Sequence, residues 1–260
     1  YCAAIPNYDY YHDIVNVSVG TVSNPSNCGT TGGPGSILNR YSDYTTVVPP
    51  IVLAKGQSYP LSVSVVGNCG TASTTIGAGV TVFIDYNGDG TYSAAERVYS
   101  SANVVPPFTV SSSFTVPATA ATGIMGMRVI TSYNVAGASI AACGSYNYGE
   151  TEDYLVKIQY VPNATGAGMY CSGDSVVLVG SAPGMSGEFT YLWIHPNGNT
   201  DTGAVLTIPN AQNNHSGTYK LCLLTYPCAS GAGPADTSGI RDVEIWISPT
   251  PGAPVVPPII

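Results

Sequence analysis

Hydrophobic and polar residues alternate along much of the chain in short runs, each closed by glycine, proline, asparagine or serine. Such runs occupy residues 59–66, 80–84, 114–116, 127–131 and 154–158. A second series occupies 175–179, 189–194, 204–208, 218–224 and 243–247. A period of two sends alternate side chains to opposite faces of an extended backbone, so each run predicts a half-buried strand. No segment reads convincingly as a helix. Many short strands separated by turn residues predict an all-β chain built of β-sandwiches.

The two series part near Tyr160. Residues 161–168 (Val-Pro-Asn-Ala-Thr-Gly-Ala-Gly) are small and weakly apolar, as a linker is. The expected domains are a sandwich over 1–159 and a smaller one over 160–248, its body from residue 169. A proline-rich extended tail or linker follows over 249–260, because five prolines there exclude a central strand.

Composition strengthens this picture. Glycine (30), proline (20) and tyrosine (19) suit turns and strands, not helices. Charged residues are scarce, and seven Lys+Arg against fifteen Asp+Glu leave a formal charge of -8. That balance argues against a nucleic-acid groove and against a polybasic membrane face. No apolar run approaches the roughly 20 residues of a spanning helix. The chain shows no leader, so Tyr1 is expected to be a mature end left by removal of a signal peptide. Seven cysteines, without any C-x-x-C pair and with only His12, His195 and His215 far apart, favour disulfides over zinc. The expected compartment is extracellular or the cell surface.

The sharpest chemical signal is Asp85-Tyr-Asn87-Gly-Asp89-Gly90-Thr91-Tyr-Ser93-Ala-Ala-Glu96. It fits the twelve-position calcium loop D-x-[DN]-x-[DN]-G-x5-E at every specified place. Calcium (Ca2+) is a hard cation that takes six to eight oxygens. Asp85, Asn87 and Asp89 would supply side-chain oxygens and Thr91 its carbonyl. Ser93 would add a hydroxyl or a bridged water, and Glu96 a bidentate carboxylate. A plain Asn-Gly or Asp-Gly hairpin turn is the simpler reading, but it does not explain Glu96. Strands flank the loop where an EF-hand has helices, so a structural clamp is expected, not a switching sensor.

A second acidic run is Gly149-Glu150-Thr151-Glu152-Asp153-Tyr154. Three carboxylates in four residues repel unless a cation or an arginine joins them. Two readings stand side by side: one of them adds an oxygen to the calcium or pairs with Arg128, or the run is an exposed acidic turn.

These residues carry a resemblance. Tyr1-Cys2, Ile14-Val-Asn-Val17, Cys28-Gly29, Tyr41-Ser-Asp-Tyr-Thr45, Phe83-Ile-Asp-Tyr-Asn-Gly-Asp-Gly90, Val116-Pro117, Met127-Arg-Val129 and Gly149-Glu-Thr-Glu-Asp-Tyr154 follow one another in order. Together they resemble the GEVED domain of secreted and surface proteins of Bacteroidota-type bacteria. Thr151 stands where that motif usually has valine. The resemblance implies a jelly-roll-like, non-catalytic sandwich with a metal at the Asp85–Asp89 loop. Residues 169–248 resemble the immunoglobulin-like modules of such proteins. In those terms Trp193 would be the buried core tryptophan and Ser216-Gly-Thr-Tyr219 a tyrosine corner, and a Cys171–Cys228 bridge is implied. For the first sandwich the expected pairs are Cys2–Cys28 and Cys69–Cys143, one of three connectivities open to four cysteines. Cys222 is left over, either buried and inert or a link between subunits.

No nucleophile elbow, H-E-x-x-H or phosphate loop is present, and no histidine has a serine or cysteine at catalytic spacing. No catalytic residue is therefore assigned. The expected function is a non-catalytic structural or adhesive protein, a self-associating subunit of a bacterial surface filament or layer. The alternative is a carbohydrate- or protein-binding accessory module of a larger secreted enzyme, with Tyr10, Tyr11, Tyr146 and Tyr148 stacking on sugars.

Overall fold

A computed structural model describes residues 1–67, 75–185, 188–225 and 236–249. The chain divides into two compact units, Tyr1–Gln159 and Tyr160–Ile260. Both are built of β-strands. Among the described residues the helical segments are single 3-10 turns at Ala94–Glu96, Gly137–Ser139 and Asn213–His215.

The first unit contains β1 (Ala4–Tyr8), β2 (His12–Val19), β3 (Val22–Pro25), β4 (Tyr41–Asp43), β5 (Ile51–Ala54), β6 (Ser58–Gly67), β7 (Ala78–Ile84), β8 (Arg97–Ser100), β9 (Phe108–Thr115), β10 (Gly123–Tyr133) and β11 (Gly144–Gln159). One sheet is antiparallel, in the order β3-β2-β6-β9. The other runs β11-β10-β7-β8. Along the remaining side of β11, three short strands line up in turn, all parallel to it. β1 starts at Gly144, β4 at Thr151 and β5 at Val156. The alternate positions Val17, Val63 and Val65 on the first sheet and Val80, Val82, Val129 and Val156 on the second meet in one core. The alternation seen in the sequence thus becomes the inner face of a sandwich.

The second unit contains β12 (Asn163–Thr165), β13 (Gly168–Cys171), β14 (Val176–Ser181), β15 (Phe189–Ile194), β16 (Thr200–Thr202), β17 (Val205–Ile208), β18 (Gly217–Thr225), β19 (Asp236–Thr237) and β20 (Arg241–Ser248). β12-β14-β17 form one sheet and β13-β20-β18-β15-β16 the other, with β19 on β18. Trp193 is fully buried among Leu178, Tyr219 and Leu221, and its indole N–H donates to the Gly203 carbonyl at 3.1 Å. The Tyr219 hydroxyl donates back to the His215 carbonyl at 3.1 Å, the bond of a tyrosine corner.

Three expectations change. Residues 161–168 are not a free linker: β12 pairs with β14, and Gly168 opens β13 against β20. Their small side chains disguise edge strands whose backbones do the pairing. Cys2 is bridged to Cys143, so the pairs Cys2–Cys28 and Cys69–Cys143 do not form. The parallel register Ala4↔Gly144 brings those two cysteines to a Cα–Cα distance of 5.6 Å, inside the range a bridge needs. Cys28 is also disulfide-bonded, and Cys69 lies outside the described residues. Cys171 is a free, exposed thiol at the end of β13 rather than half of a bridge, and Cys228 lies outside the described residues. Cys222 is free and buried. The proline-rich segment from residue 250 also falls outside them.

Candidate functional site

The loop after β7 curls because its side chains bind its own backbone. The Asp85 carboxylate accepts the Gly88 amide at 2.7 Å and the Gly90 amide at 3.0 Å. Asn87 Oδ1 accepts the Asp89 amide at 2.9 Å, and Asp89 Oδ1 accepts the Thr91 amide at 2.8 Å. Gly90 sits at φ +80°, a conformation that costs glycine little. Glu96, in the 3-10 turn that ends the loop, reaches back across it. Its Oε1 accepts the amides of Tyr86 and Asn87, and its Oε2 accepts the amide and hydroxyl of Ser93. The Thr91 hydroxyl and amide hold the Asp89 carboxyl below its ordinary range.

The donor set is all oxygen, as calcium requires. A carboxylate oxygen has two acceptor positions. By that count Asp85 Oδ1, Asn87 Oδ1 and Asp89 Oδ2 each keep one position unused, while both oxygens of Glu96 are filled. The first half of the loop therefore fits a cation, and Glu96 joins one only by releasing amides. Among the described residues no three His, Cys, Asp or Glu side chains cluster as a metal site by themselves. An ion here would depend on the neutral oxygens of Asn87, Thr91 and Ser93.

What the sequence did not announce is how this loop is fastened. Asp85 is fully buried and also accepts the Tyr1 hydroxyl at 2.8 Å. Burial, first, and the Asp85 bond push the Tyr1 phenol up to about 12. The Tyr1 ring stacks on Tyr92 at 4.7 Å, and the Arg128 guanidinium lies 5.2 Å from the Tyr92 ring centre. Arg128 in turn grips Asp153 through two bonds of 2.7 Å. A chain of contacts thus joins the acidic loop to the acidic run on β11. The interacting pairs are 84, 91 and 25 positions or more apart, so no local pattern reveals them.

The acidic run is neither a turn nor exposed. It lies inside β11, and Glu150, Thr151, Glu152 and Asp153 are all buried. Gly149 permits this: it sits at φ +129°, and a Cβ there would strike the Thr131 carbonyl. Asp153 points to Arg128, as one expectation held. Glu150 and Glu152 belong to the opposite face. The Glu150 carboxyl accepts the Ile14 amide and the Ser42 hydroxyl, both at 2.9 Å. Glu152 accepts the Tyr154 hydroxyl at 2.8 Å.

Of the tyrosines expected to meet a ligand, Tyr10 is 61% exposed. Tyr11 and Tyr148 are half-buried and contact each other edge to face at 4.8 Å, while Tyr133 and Tyr8 extend the group. Tyr146 stands apart, packed on Ala4, Ile130 and Ile140.

The fold and these sites define an all-β chain of two sandwich-type units, the first of them disulfide-bonded, whose acidic residues brace loops and strands. Residues 79–157 match the model of the GEVED domain, so the match covers the second half of the first unit, from β7 to β11. No curated protein matches the chain. Similar solved structures include DIP-gamma IG1+IG2, at 10% identity over 76% of this chain and 93% of that one, with a TM-score of 0.24. A marsupial T cell receptor is 15% identical over 81% and 74%, with a TM-score of 0.29. Fibronectin(III)-like modules of Clostridium thermocellum CbhA are 12% identical over 78% and 92%, with a TM-score of 0.23. Likeness at this level carries no conclusion about what this chain does.

Proposed function

We propose that this chain is a non-catalytic extracellular scaffold, a structural or adhesive protein that associates with copies of itself in a surface filament or layer. The observation that carries the reading is the use made of its acidic and basic side chains. Asp85, Glu96, Arg128, Glu150 and Asp153 all bind the chain's own backbone or one another. Groups spent in this way hold a scaffold together instead of meeting a substrate. The Cys2–Cys143 bridge suits an oxidising compartment, and no helix among the described residues is long and apolar enough to cross a membrane. Sedimentation velocity and electron microscopy of the full chain test the reading. Concentration-dependent oligomers or fibres are expected, and a strict monomer at every concentration refutes self-association.

Calcium belongs to this proposal. Asp85, Asn87 and Asp89 would hold the ion, with the Thr91 carbonyl and Ser93 beside them and Glu96 released from its amides to complete the set. Bound calcium supplies positive charge that neutralises the loop carboxylates. A ligand that selects the folded form adds RT ln(1 + [L]/Kd), about 2.7 kcal/mol at a hundredfold excess over Kd. Chelation should therefore lower the melting temperature of the first unit by several degrees and leave the second unchanged. The two tryptophans, Trp193 and Trp246, both lie in the second unit, so their fluorescence reports that unit alone. Calorimetry with no heat of calcium binding would remove the ion from the reading.

A second reading has its own observation. The group of Tyr8, Tyr10, Tyr11, Tyr133 and Tyr148 presents ring surface to solvent, and Tyr11 holds a positive φ of 81°, rare for a bulky residue. Such a surface could stack on sugar rings, which would make the chain a carbohydrate- or protein-binding accessory module. Binding on a glycan array that Tyr10→Ala abolishes would favour it.

A further inference from the structure

Three carboxyl groups meet on the inner face of the first sandwich: Asp13 from β2 and Glu150 and Glu152 from β11. All three are buried, and Glu152 is fully so. Glu150 and Asp13 lie within interaction range of each other. Two carboxyl groups can join in a hydrogen bond only through a proton, because an ionised carboxylate has acceptors and no donor. The two Glu150 oxygens also accept from Ile14 and Ser42. Glu152 has one donor, the Tyr154 hydroxyl, and its Oε1 has no partner. A buried oxygen left in this way is costly to charge.

Among the described residues the ion pairs are Arg128–Asp153 and His195–Asp201, and Arg128 lies on the other face of the sheet. The titratable groups that face the carboxyls are phenols: Tyr154 on β11, Tyr44 after β4, and Tyr146, which feels Glu150. His12, beside Asp13 on β2, turns its Nε2 to the Ile76 carbonyl. Burial lowers its pKa, so it adds no cation at neutral pH. The three carboxyls do not converge as a metal site.

We propose that this cluster binds protons in place of a cation, so that folding of the first unit takes up protons at neutral pH and the unit loosens as the medium turns alkaline. The direction follows from linkage. Burial, first, and then the neighbouring Glu152 charge raise Glu150 well above the ordinary carboxylate range. Burial likewise pushes Glu152 up to about 8. In the unfolded chain both groups release their protons near the ordinary carboxylate pKa. Stability from the retained protons is thus fully present below that pKa. It declines as pH rises through the interval, and it is gone once pH passes the folded value, about 8 for Glu152. This inference is independent of the scaffold reading, because it concerns folding and not partners.

The test is thermal unfolding of the full chain between about pH 5 and about pH 9, with and without calcium, followed by calorimetry and by tryptophan fluorescence. The first-unit midpoint should fall by roughly 10 °C across that range, while the fluorescence transition moves much less. Glu152→Gln and Glu150→Gln keep the shape without the charge, and each should flatten the fall. A second measurement needs no variant. The infrared C=O band of a protonated carboxyl should be present in the native protein at neutral pH and disappear toward pH 9. A midpoint that is level or rises with pH would overturn the proposal. So would variants with the full fall, calcium that abolishes it, or a missing infrared band.

Discussion

Replacing Arg128 with methionine is expected to destabilise the first unit by about 3–5 kcal/mol, the usual cost of removing one partner of a buried ion pair. The guanidinium is only 2% exposed. Its Nε and Nη2 donate to the two Asp153 oxygens at 2.7 Å. Its Nη1 donates to the carbonyls of Cys2 and Ala142 at 2.8 Å. Methionine fills much of the volume but supplies no donor. Asp153 would then keep the Tyr41 hydroxyl at 3.0 Å and no positive charge, and two buried carbonyls would lose their partner. At a few degrees per kcal/mol for a unit of this size, the first melting transition should drop by roughly 10 °C. The tryptophan-reported transition should stay where it is. Lysine will not rescue the loss, because a point charge cannot reproduce the two-pronged grip on Asp153. Adding Asp153→Asn to Arg128→Met should restore part of the stability by removing the stranded charge. If the single variant melts with the unsubstituted protein, the pair is not what holds β10 to β11 and the N-terminal segment.

Much of the fold could be read from alternation, and particular strands show why. β14 buries Val176, Leu178 and Gly180 and exposes the residues between, and β20 repeats the pattern with Val243, Ile245 and Ile247. In β20 the exposed positions are polar except Trp246, close to the assumption on which the reading rests, whereas β14 exposes Val177 and Val179. β11 breaks that assumption. Glu150, Glu152 and Asp153 are acidic and buried because partners distant in sequence reach them: Ser42 and Arg128 through the sheet register and Ile14 from the facing sheet. A local pattern does not decide between them and solvent, so pairing with Arg128 or the calcium and an exposed turn stood side by side. β12 and β13 failed for a different reason: Asn163–Thr165 and Gly168–Cys171 are edge strands of three and four residues, too short to display an alternation. The spacing of the acidic loop was legible, and its residues do fold the loop on itself. The Tyr1 contact and the filled oxygens of Glu96 were not, since both depend on geometry that composition does not encode. The bridge pairing was open for a similar reason. Only the parallel placement of β1 on β11 selects Cys143 for Cys2.

That same placement gives the other large expected effect. Replacing Cys2 and Cys143 together with serine opens a loop of 141 residues. In the chain-entropy model this costs about 5 kcal/mol, because the unfolded chain regains the freedom the bridge removed. The double substitution is a cleaner experiment than reductant, since Cys28 is also disulfide-bonded and reduction would break both bridges. Urea unfolding should show an earlier midpoint for the first unit and an unchanged tryptophan transition for the second. The loss should also overlap with that of Arg128. The carbonyls it binds belong to Cys2 and to Ala142, the neighbour of Cys143, so the arginine and the bridge fasten the same two segments. Residues that share partners are not additive. Combining Arg128→Met with the Cys→Ser pair should therefore cost less than the two losses summed, by about 1 kcal/mol or more. Simple additivity would show that the bridge and the arginine act on separate parts of the unit, and that the N-terminal strand is held by its β11 register alone.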